Sequence, residues 1–237
     1  MKIFYSILFI AVTLFFSSNL YSQPEEKWIF TAKSQLYASP LVGDICSNIG
    51  NETIISDSEA RTLRCISSSG EQIWEFDGQW KKRLSSGAAL TWKSPNGNPL
   101  LIIGNGDGSL TCIDAATGKK VWKNNAGIIS WGNVIWADIN GDGLDEAIAG
   151  TEDNGIVAFN IDGEYLWTYK GGTERPLLSL KTPIAASDIN GDGQSEIFVA
   201  DRIGVFCLSG NGFLKWDLQT GDEFNSAPVI ADANLDG

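Results

Sequence analysis

Asp138, Asn140, Asp142 and Glu146 stand at positions 1, 3, 5 and 9 of a short loop with Gly143 at position 6, and the pattern recurs as Asp188, Asn190, Asp192, Glu196 and Gly193. Oxygen side chains at this spacing suit a hard cation that takes several oxygen ligands, and the glycine allows the sharp turn. Calcium is the expected ion. The seventh-position residues Leu144 and Gln194 complete the two ligand sets, and a third loop begins at Asp232, Asn234 and Asp236. The same residues could instead form ordinary Asx turns without a metal. A bound cation would neutralise three carboxylates per loop and tie two strands together, so its expected role is structural.

An EF-hand would carry its bidentate acid at position 12 and leave the loop into a helix. Here position 12 is Ala149 or Val199, and the loops lead into Glu146-Ala-Ile-Ala-Gly-Thr151 and Glu196-Ile-Phe-Val-Ala200, which read as strands. The frame around them is a repeat. Trp28, Trp74, Trp122, Trp167 and Trp216 lie 46, 48, 45 and 49 residues apart, and each closes a similar phrase, as in Glu71-Gln-Ile-Trp-Glu-Phe76 and Glu164-Tyr-Leu-Trp-Thr-Tyr169. A period in the forties with several short strands per unit predicts a propeller array. The third unit parses into strands over Asn133–Ala137, Glu146–Thr151, Ile156–Asn160 and Glu164–Tyr169.

The predicted fold is all-β, a β-propeller of four-stranded antiparallel blades, about four of them present, as an incomplete part of a propeller of seven or eight blades. Blades are expected over about 38–76, 86–123, 131–169 and 182–217, with a partial blade at 226–237 and a strand at 27–31 that completes a missing last blade. In the first unit Asp44, Cys46, Asn48 and Glu52 hold positions 1, 3, 5 and 9, but Ile49 replaces the glycine, so that site reads as degraded. The second unit, with Trp92, Ser94 and Asn96, has lost the pattern.

Met1-Lys2 followed by the apolar run Ile3–Phe16 and then Ser17–Ser22 has the form of a secretory signal peptide over 1–22. A secreted or periplasmic chain follows, with no membrane insertion once the leader is cleaved. Net charge is -12. Such an acidic chain is a poor partner for nucleic acid. The absence of histidine removes the commonest general base and transition-metal ligand. Of the four cysteines, Cys65, Cys112 and Cys207 stand 9, 10 and 9 residues before the repeat tryptophan, in a slot that the third unit fills with Ala158. Equivalent places on neighbouring blades are too far apart to bridge, which predicts core thiols. Cys46 could pair only if its loop folds over.

Asp107-Gly-Ser-Leu-Thr-Cys-Ile-Asp114-Ala-Ala-Thr117-Gly118-Lys-Lys-Val-Trp122 resembles the repeat of PQQ-like (quinoprotein-dehydrogenase-like) propellers, in which Asp, Thr-Gly and Trp form a girdle that locks adjacent blades. The Asp-x-Asn-x-Asp-Gly-x-x-Glu loops resemble those of FG-GAP/VCBS, integrin-α-like propellers, and that resemblance implies calcium. Only the second unit carries the full girdle; the others have Ser-Ser-Ser-Gly, Asn-Ile-Asp-Gly and Ser-Gly-Asn-Gly in its place. Both repeat types occur in enzymes and in binding proteins, so neither assigns an activity. No residue stands out as catalytic. The expectation is a non-catalytic binding or scaffold module for a protein or carbohydrate ligand, monomeric if the propeller is complete. The alternative is the propeller part of an extracellular enzyme, a quinoprotein dehydrogenase or a calcium-dependent polysaccharide lyase. Trp80, Trp92, Trp131 and Trp136 lie off the lattice and either contact a partner or pack between blades.

Overall fold

A computed structural model describes residues 27–46, 50–130, 134–172, 177, 180, 182–221, 224 and 226–232. The expected leader at 1–22, Asn48, Trp131, Asn234 and Asp236 lie outside the described residues. Among the described residues there is no helix, hence none long and apolar enough to cross a membrane.

Among the described residues, sixteen strands form four separate antiparallel sheets. The first sheet is β1 (Leu41–Gly43), β2 (Glu52–Asp57), β3 (Thr62–Ile66) and β4 (Gln72–Asp77). The second is β5 (Ala88–Thr91), β6 (Leu100–Gly104), β7 (Ser109–Asp114) and β8 (Lys119–Asn125). The third is β9 (Val134–Ala137), β10 (Glu146–Thr151), β11 (Gly155–Phe159) and β12 (Tyr165–Tyr169). The fourth is β13 (Ala185–Ser187), β14 (Glu196–Ala200), β15 (Gly204–Leu208) and β16 (Leu214–Gln219). Each sheet pairs in chain order, which makes it one blade.

The cores lie between blades, and this explains two kinds of strand sequence. Leu101 and Ile103 of β6 pack with Ile54, Leu63 and Trp74 of the first blade, while Leu100 and Ile102 pack with Ala147, Val157 and Phe159 of the third. Because both faces of a middle strand are covered, it reads as an unbroken apolar run. The outer strands differ: in β8, Lys-Lys-Val-Trp-Lys-Asn-Asn, Trp122 is the one buried side chain.

That tryptophan docks on the following blade. Trp122 Nε1 donates to Ile161 O at 3.0 Å, and its ring lies where a Cβ on Gly163 would come within 2.7 Å. Trp74 donates to Ala115 O at 3.0 Å against Gly118, and Trp167 to Gly210 O at 3.0 Å against Gly212. Trp28 does the same into the first blade, with Ser68 O at 3.1 Å and Gly70 beneath the ring. All four glycines have positive φ, from 70° to 86°. The girdle therefore works between units. Gly118 of the Asp114–Thr117–Gly118 turn receives Trp74, not Trp122, while Asp114 Oδ1 shapes the turn by accepting Thr117 N–H at 2.9 Å. A carbonyl followed by a left-handed glycine is enough, which is why turns lacking Asp and Thr still dock.

The small residue in the Cys/Ala slot faces the same tryptophan across the blade. Cys65 pairs with Trp74, Cys112 with Trp122, Ala158 with Trp167 and Cys207 with Trp216, each beside a register shift. The stretch 27–31, expected as a strand completing a missing last blade, is not paired as a strand among the described residues, and Trp28 anchors it to the first blade. The described residues of the expected partial blade, 226–232, also hold no strand.

These contacts predict a contrast between two glycine substitutions. Gly163→Ala must adopt φ near 85° and displace an indole, and should destabilise by about 2–4 kcal/mol. Gly143→Ala has a similar φ of 86° with nothing within 4 Å and should cost about 1 kcal/mol. Urea unfolding of both variants, followed by tryptophan fluorescence, checks the order.

Candidate functional site

Both predicted cation loops join the first and second strands of their blades, and they lie side by side at one end of the sheets. Ser195 N–H donates to Asp138 O at 2.8 Å, just as Asp145 N–H donates to Lys93 O of the second blade at 3.2 Å. A rim of loops thus links blade to blade.

Within the first of these loops the acidic oxygens are turned onto backbone. Asp138 accepts Gly141 N–H at 2.7 Å and Gly143 N–H at 2.9 Å, Asn140 Oδ1 accepts Asp142 N–H at 2.8 Å, and Asp142 accepts Leu144 N–H at 2.8 Å. Glu146 Oε2 accepts Ile139 N–H at 3.0 Å while Asn140 Nδ2 donates to its Oε1 at 3.0 Å. The Asp188 loop repeats this. Gly191 and Gly193 donate to Asp188 at 2.8 Å each, Asn190 Oδ1 accepts Asp192 N–H at 2.9 Å, Asp192 accepts Gln194 N–H at 2.8 Å, and Asn190 Nδ2 donates to Glu196 at 2.8 Å. The Gly193 amide, against an opposing effect of desolvation and with the amides of Gly191, Asn190 and Asp192, holds the Asp188 carboxyl below its usual range. These are Asx turns, and no group of three or more acids or thiols among the described residues is arranged to hold a metal ion. Gly143 and Gly193 are required by their φ of 86° and 85° and not by crowding, since their Cβ directions are open.

The donor set itself is all oxygen, and each carboxylate keeps lone pairs beyond those its amide contacts use, so the chemistry of the loops fits a hard cation. Asp138, Asn140, Asp142 and Glu146 would hold it in one loop, and Asp188, Asn190, Asp192 and Glu196 in the other. Glu146 is buried, and burial, with the nearby charges of Asp142, Asp138 and Asp145 outweighing the Ile139 hydrogen bond, pushes its carboxyl up to about 7. Glu196 differs in having the Lys215 ammonium 2.6 Å from its Oε1. The start of the third loop, Asp232, is exposed, and its partners Asn234 and Asp236 lie outside the described residues.

The first-blade loop keeps one part of the design. Glu52 Oε2 accepts Ile45 N–H at 2.8 Å and Cys46 N–H at 2.9 Å, so the ninth-position glutamate closes the loop in all three blades that have it. At the opposite end of the blades, turn aspartates pin the incoming linkers: Asp107 accepts Lys81 N–H at 2.8 Å and Asp153 accepts Ile128 N–H at 2.7 Å.

Sequence reasoning missed one buried ionic cluster. Arg64, 1% exposed in the middle of β3, contacts Asp57 at 2.6 Å and Glu75 at 3.1 Å, and Lys33 reaches the same Glu75 at 3.1 Å. Burial would raise the Asp57 carboxyl, but Ser34, the Lys33 N–H and Arg64 together hold it below its usual range. The signal was an arginine inside Thr-Leu-Arg-Cys-Ile, a strand otherwise apolar at its centre. The cluster ties residues 33–34 to the first blade. Of the off-lattice tryptophans, Trp80 is buried with Nε1 donating to Thr111 Oγ1 at 3.3 Å, Trp136 donates to Ala89 O at 3.2 Å, and Trp92 is 50% exposed.

The profile of the PQQ_2 family, described as outer membrane protein assembly factor BamB, matches residues 59–235. A λ-carrageenase of Pseudoalteromonas carrageenovora is 32% identical over 121 residues, half of this chain and 11% of that protein. BamB of Moraxella catarrhalis superposes with a TM-score of 0.58 at 17% identity, covering 86% of this chain and 58% of that one. Quinohemoprotein alcohol dehydrogenase of Comamonas testosteroni gives a TM-score of 0.55 at 18% identity, covering 81% and 36%. At these identities the structural likenesses show the fold.

The Glu146 environment predicts a pH dependence for metal-free protein. A carboxyl raised from its ordinary value to about 7 in the fold favours the native state when protonated, so its contribution is present below about 4.5 and lost as pH rises through about 7. In excess chelator the melting temperature should therefore fall between pH 5 and 8, and Glu146→Gln should flatten that slope.

Proposed function

We propose, because the chain belongs to the PQQ_2 family described as outer membrane protein assembly factor BamB, that it is a segment of an exported β-propeller that binds and holds partners, with calcium stiffening the loops at Asp138 and Asp188. The observation that carries this reading is the Ser195 N–H to Asp138 O bond of 2.8 Å, which sets two oxygen-rich loops together on one rim. Beside them runs a groove lined by Ile139, Asn140, Trp167, Gln194 and Asn211. Amide side chains next to an indole suit sugar hydroxyls and the apolar face of a sugar ring. A carbohydrate partner is therefore favoured over a protein one.

A second reading rests on the 32% identity to λ-carrageenase: the segment is the propeller part of a polysaccharide-degrading enzyme. Under that reading too these blades hold the chain and the sugar, and the catalytic acid or base lies elsewhere. A quinoprotein dehydrogenase is supported by fold likeness alone.

The full chain is melted with calcium and with EDTA and then applied to a glycan array and to λ-carrageenan. Extracellular calcium sites commonly bind at roughly 0.1–1 mM, so about 5 mM calcium should raise the melting temperature by roughly 2–5 °C, most at pH 8. Asp138→Ala combined with Asp188→Ala should abolish the rise. An unmoved melt discards calcium, and new sugar ends released from λ-carrageenan by this chain would overturn both readings by placing the catalytic group within these blades.

A further inference from the structure

The linker that follows β4 carries Lys81, Lys82 and Arg83 in succession, three exposed cations in a chain of net charge -12. Its backbone is held at every residue from Gly78 to Leu84. Gly78 O accepts from the Lys123 ammonium at 3.0 Å, Gln79 N–H donates to Asp77 at 2.8 Å, and Trp80 O accepts from Arg61 Nη1 at 3.0 Å. Lys81 N–H donates to Asp107 at 2.8 Å, Asn105 Nδ2 donates to Lys82 O at 3.0 Å and Arg83 O at 3.3 Å, and Leu84 N–H donates to Ser58 O at 3.1 Å. Trp80, 2% exposed, plugs the linker into the core between the first two blades.

Fastening a linker does not call for cations. The next linker is caught in the same way, by Asp153 on the Ile128 N–H at 2.7 Å, and presents isoleucine where this one presents Lys81. The fastening here is also strained. Arg61 and Gln79, with φ of 56° and 50°, are the two non-glycine residues of positive φ among the described residues, and Arg61 is the one whose guanidinium holds Trp80 O. Such backbone persists only where its surroundings over-determine it, and it concentrates at ligand sites. The result is a row of positive side chains on a fixed loop. Arg83 lies over the Tyr37 ring, 5.1 Å from its centroid. Its ion pair with Glu59, the one that involves the row among the described residues, spans 3.7 Å between side chains 50% and 59% exposed, so solvent screens it.

We propose that Arg61, Lys81, Lys82 and Arg83 bind an anionic polysaccharide, a chain whose sulfate or carboxylate groups recur along its length. Consecutive exposed cations on one rigid loop meet a series of anions better than a single one, and guanidinium groups fork onto paired sulfate or carboxylate oxygens. Width decides against other polyanions. The same end of the sheets carries Glu152 and Asp153 in the third blade's turn, so a bilayer or a nucleic-acid duplex pressed onto that end meets their charge as well. A single sugar strand stays on the first two blades. The acidic rim loops lie a strand length away, roughly 17–20 Å, which exceeds the Debye length of about 8 Å at physiological salt. This site is at the opposite end from the Trp167 groove and depends neither on that groove nor on calcium.

The full chain, kept in EDTA so that the loops at Asp138 and Asp188 hold no ion, is run by affinity electrophoresis at low salt against dextran, dextran sulfate and polygalacturonate. At least one of the two polyanions should retard it and plain dextran should not. Whichever polyanion acts identifies sulfate or carboxylate as the recognised group, and either supports the site. Lys81→Ser combined with Lys82→Ser should weaken binding roughly 10–30-fold and flatten its salt dependence. Lys119→Ser combined with Lys120→Ser removes two exposed lysines of β8, changes net charge equally and should leave binding unchanged. Lys81→Arg combined with Lys82→Arg should bind as the wild type does. Equal losses in the two serine doubles, retardation by plain dextran, no retardation by either polyanion, or tighter binding to an oligonucleotide or to phosphatidylserine vesicles measured alongside would each overturn the proposal.

Discussion

The contact on which the architecture depends is the repeat indole seated on the next blade's turn, its N–H on a carbonyl and its ring on a glycine. It recurs at Trp28, Trp74, Trp122 and Trp167 with donor distances of 3.0 to 3.1 Å. Three features follow from it. The turn glycine must be left-handed so that no Cβ meets the ring, the outer strand can be polar around a single aromatic, and the residue opposite must be as small as Cys or Ala. The gain is visible by comparing exposures. Trp74 and Trp122 are 9% exposed, whereas Trp216, which docks on no following turn among the described residues, is 42% exposed. Covering that difference is worth about 2 kcal/mol of apolar burial per tryptophan, before the hydrogen bond is counted.

With the blades joined by apolar docking, the acids are free to organise backbone. A net charge of -12 would oppose a compact chain if it were spread without partners. Much of it instead accepts N–H groups at the two ends of the sheets: Asp138, Asp142, Asp188 and Asp192 within the rim loops, Asp107 and Asp153 at the turns that receive linkers. Loops that would otherwise expose unpaired amides are thereby closed by their own side chains. The same oxygens are the ones a cation would use, so turn chemistry and ion chemistry are two readings of one arrangement.

What was legible in the sequence was whatever repeats along it. The tryptophan spacing and the apolar runs located the blades, and in the third blade the strands Glu146–Thr151 and Tyr165–Tyr169 lie close to the segments expected. Partners across blades were less legible, because Trp74 and its receiver Gly118 sit 44 residues apart and belong to different units. The Asp-Thr-Gly signature drew attention to one turn when only its glycine and carbonyl matter for docking. Arg64 was invisible for a related reason: its acids, Asp57 and Glu75, lie on the two flanking strands and carry no motif. The inward fold of Cys46 depends on Glu52 capturing two amides, a contact no pattern of residue types announces.

The two matched loops are not equivalent once their neighbours are counted. Aligned on the repeat tryptophans, Lys215 of β16 corresponds to Leu166 of β12. The Lys215 ammonium, 2.6 Å from Glu196, already supplies a positive charge to the Asp188 loop, and the contact in turn raises the lysine's own affinity for its proton. At the Asp138 loop an apolar side chain stands in that place, and the Lys93 ammonium pairs with Asp145 at 3.4 Å and not with Glu146. Any cation entering the Asp188 loop competes with Lys215 for the same carboxylate, whereas one entering the Asp138 loop meets a Glu146 that no ion pair among the described residues holds. Identical motifs on one rim thus present unequal electrostatic demand, and the residue that separates them lies outside the motif, one position before the tryptophan.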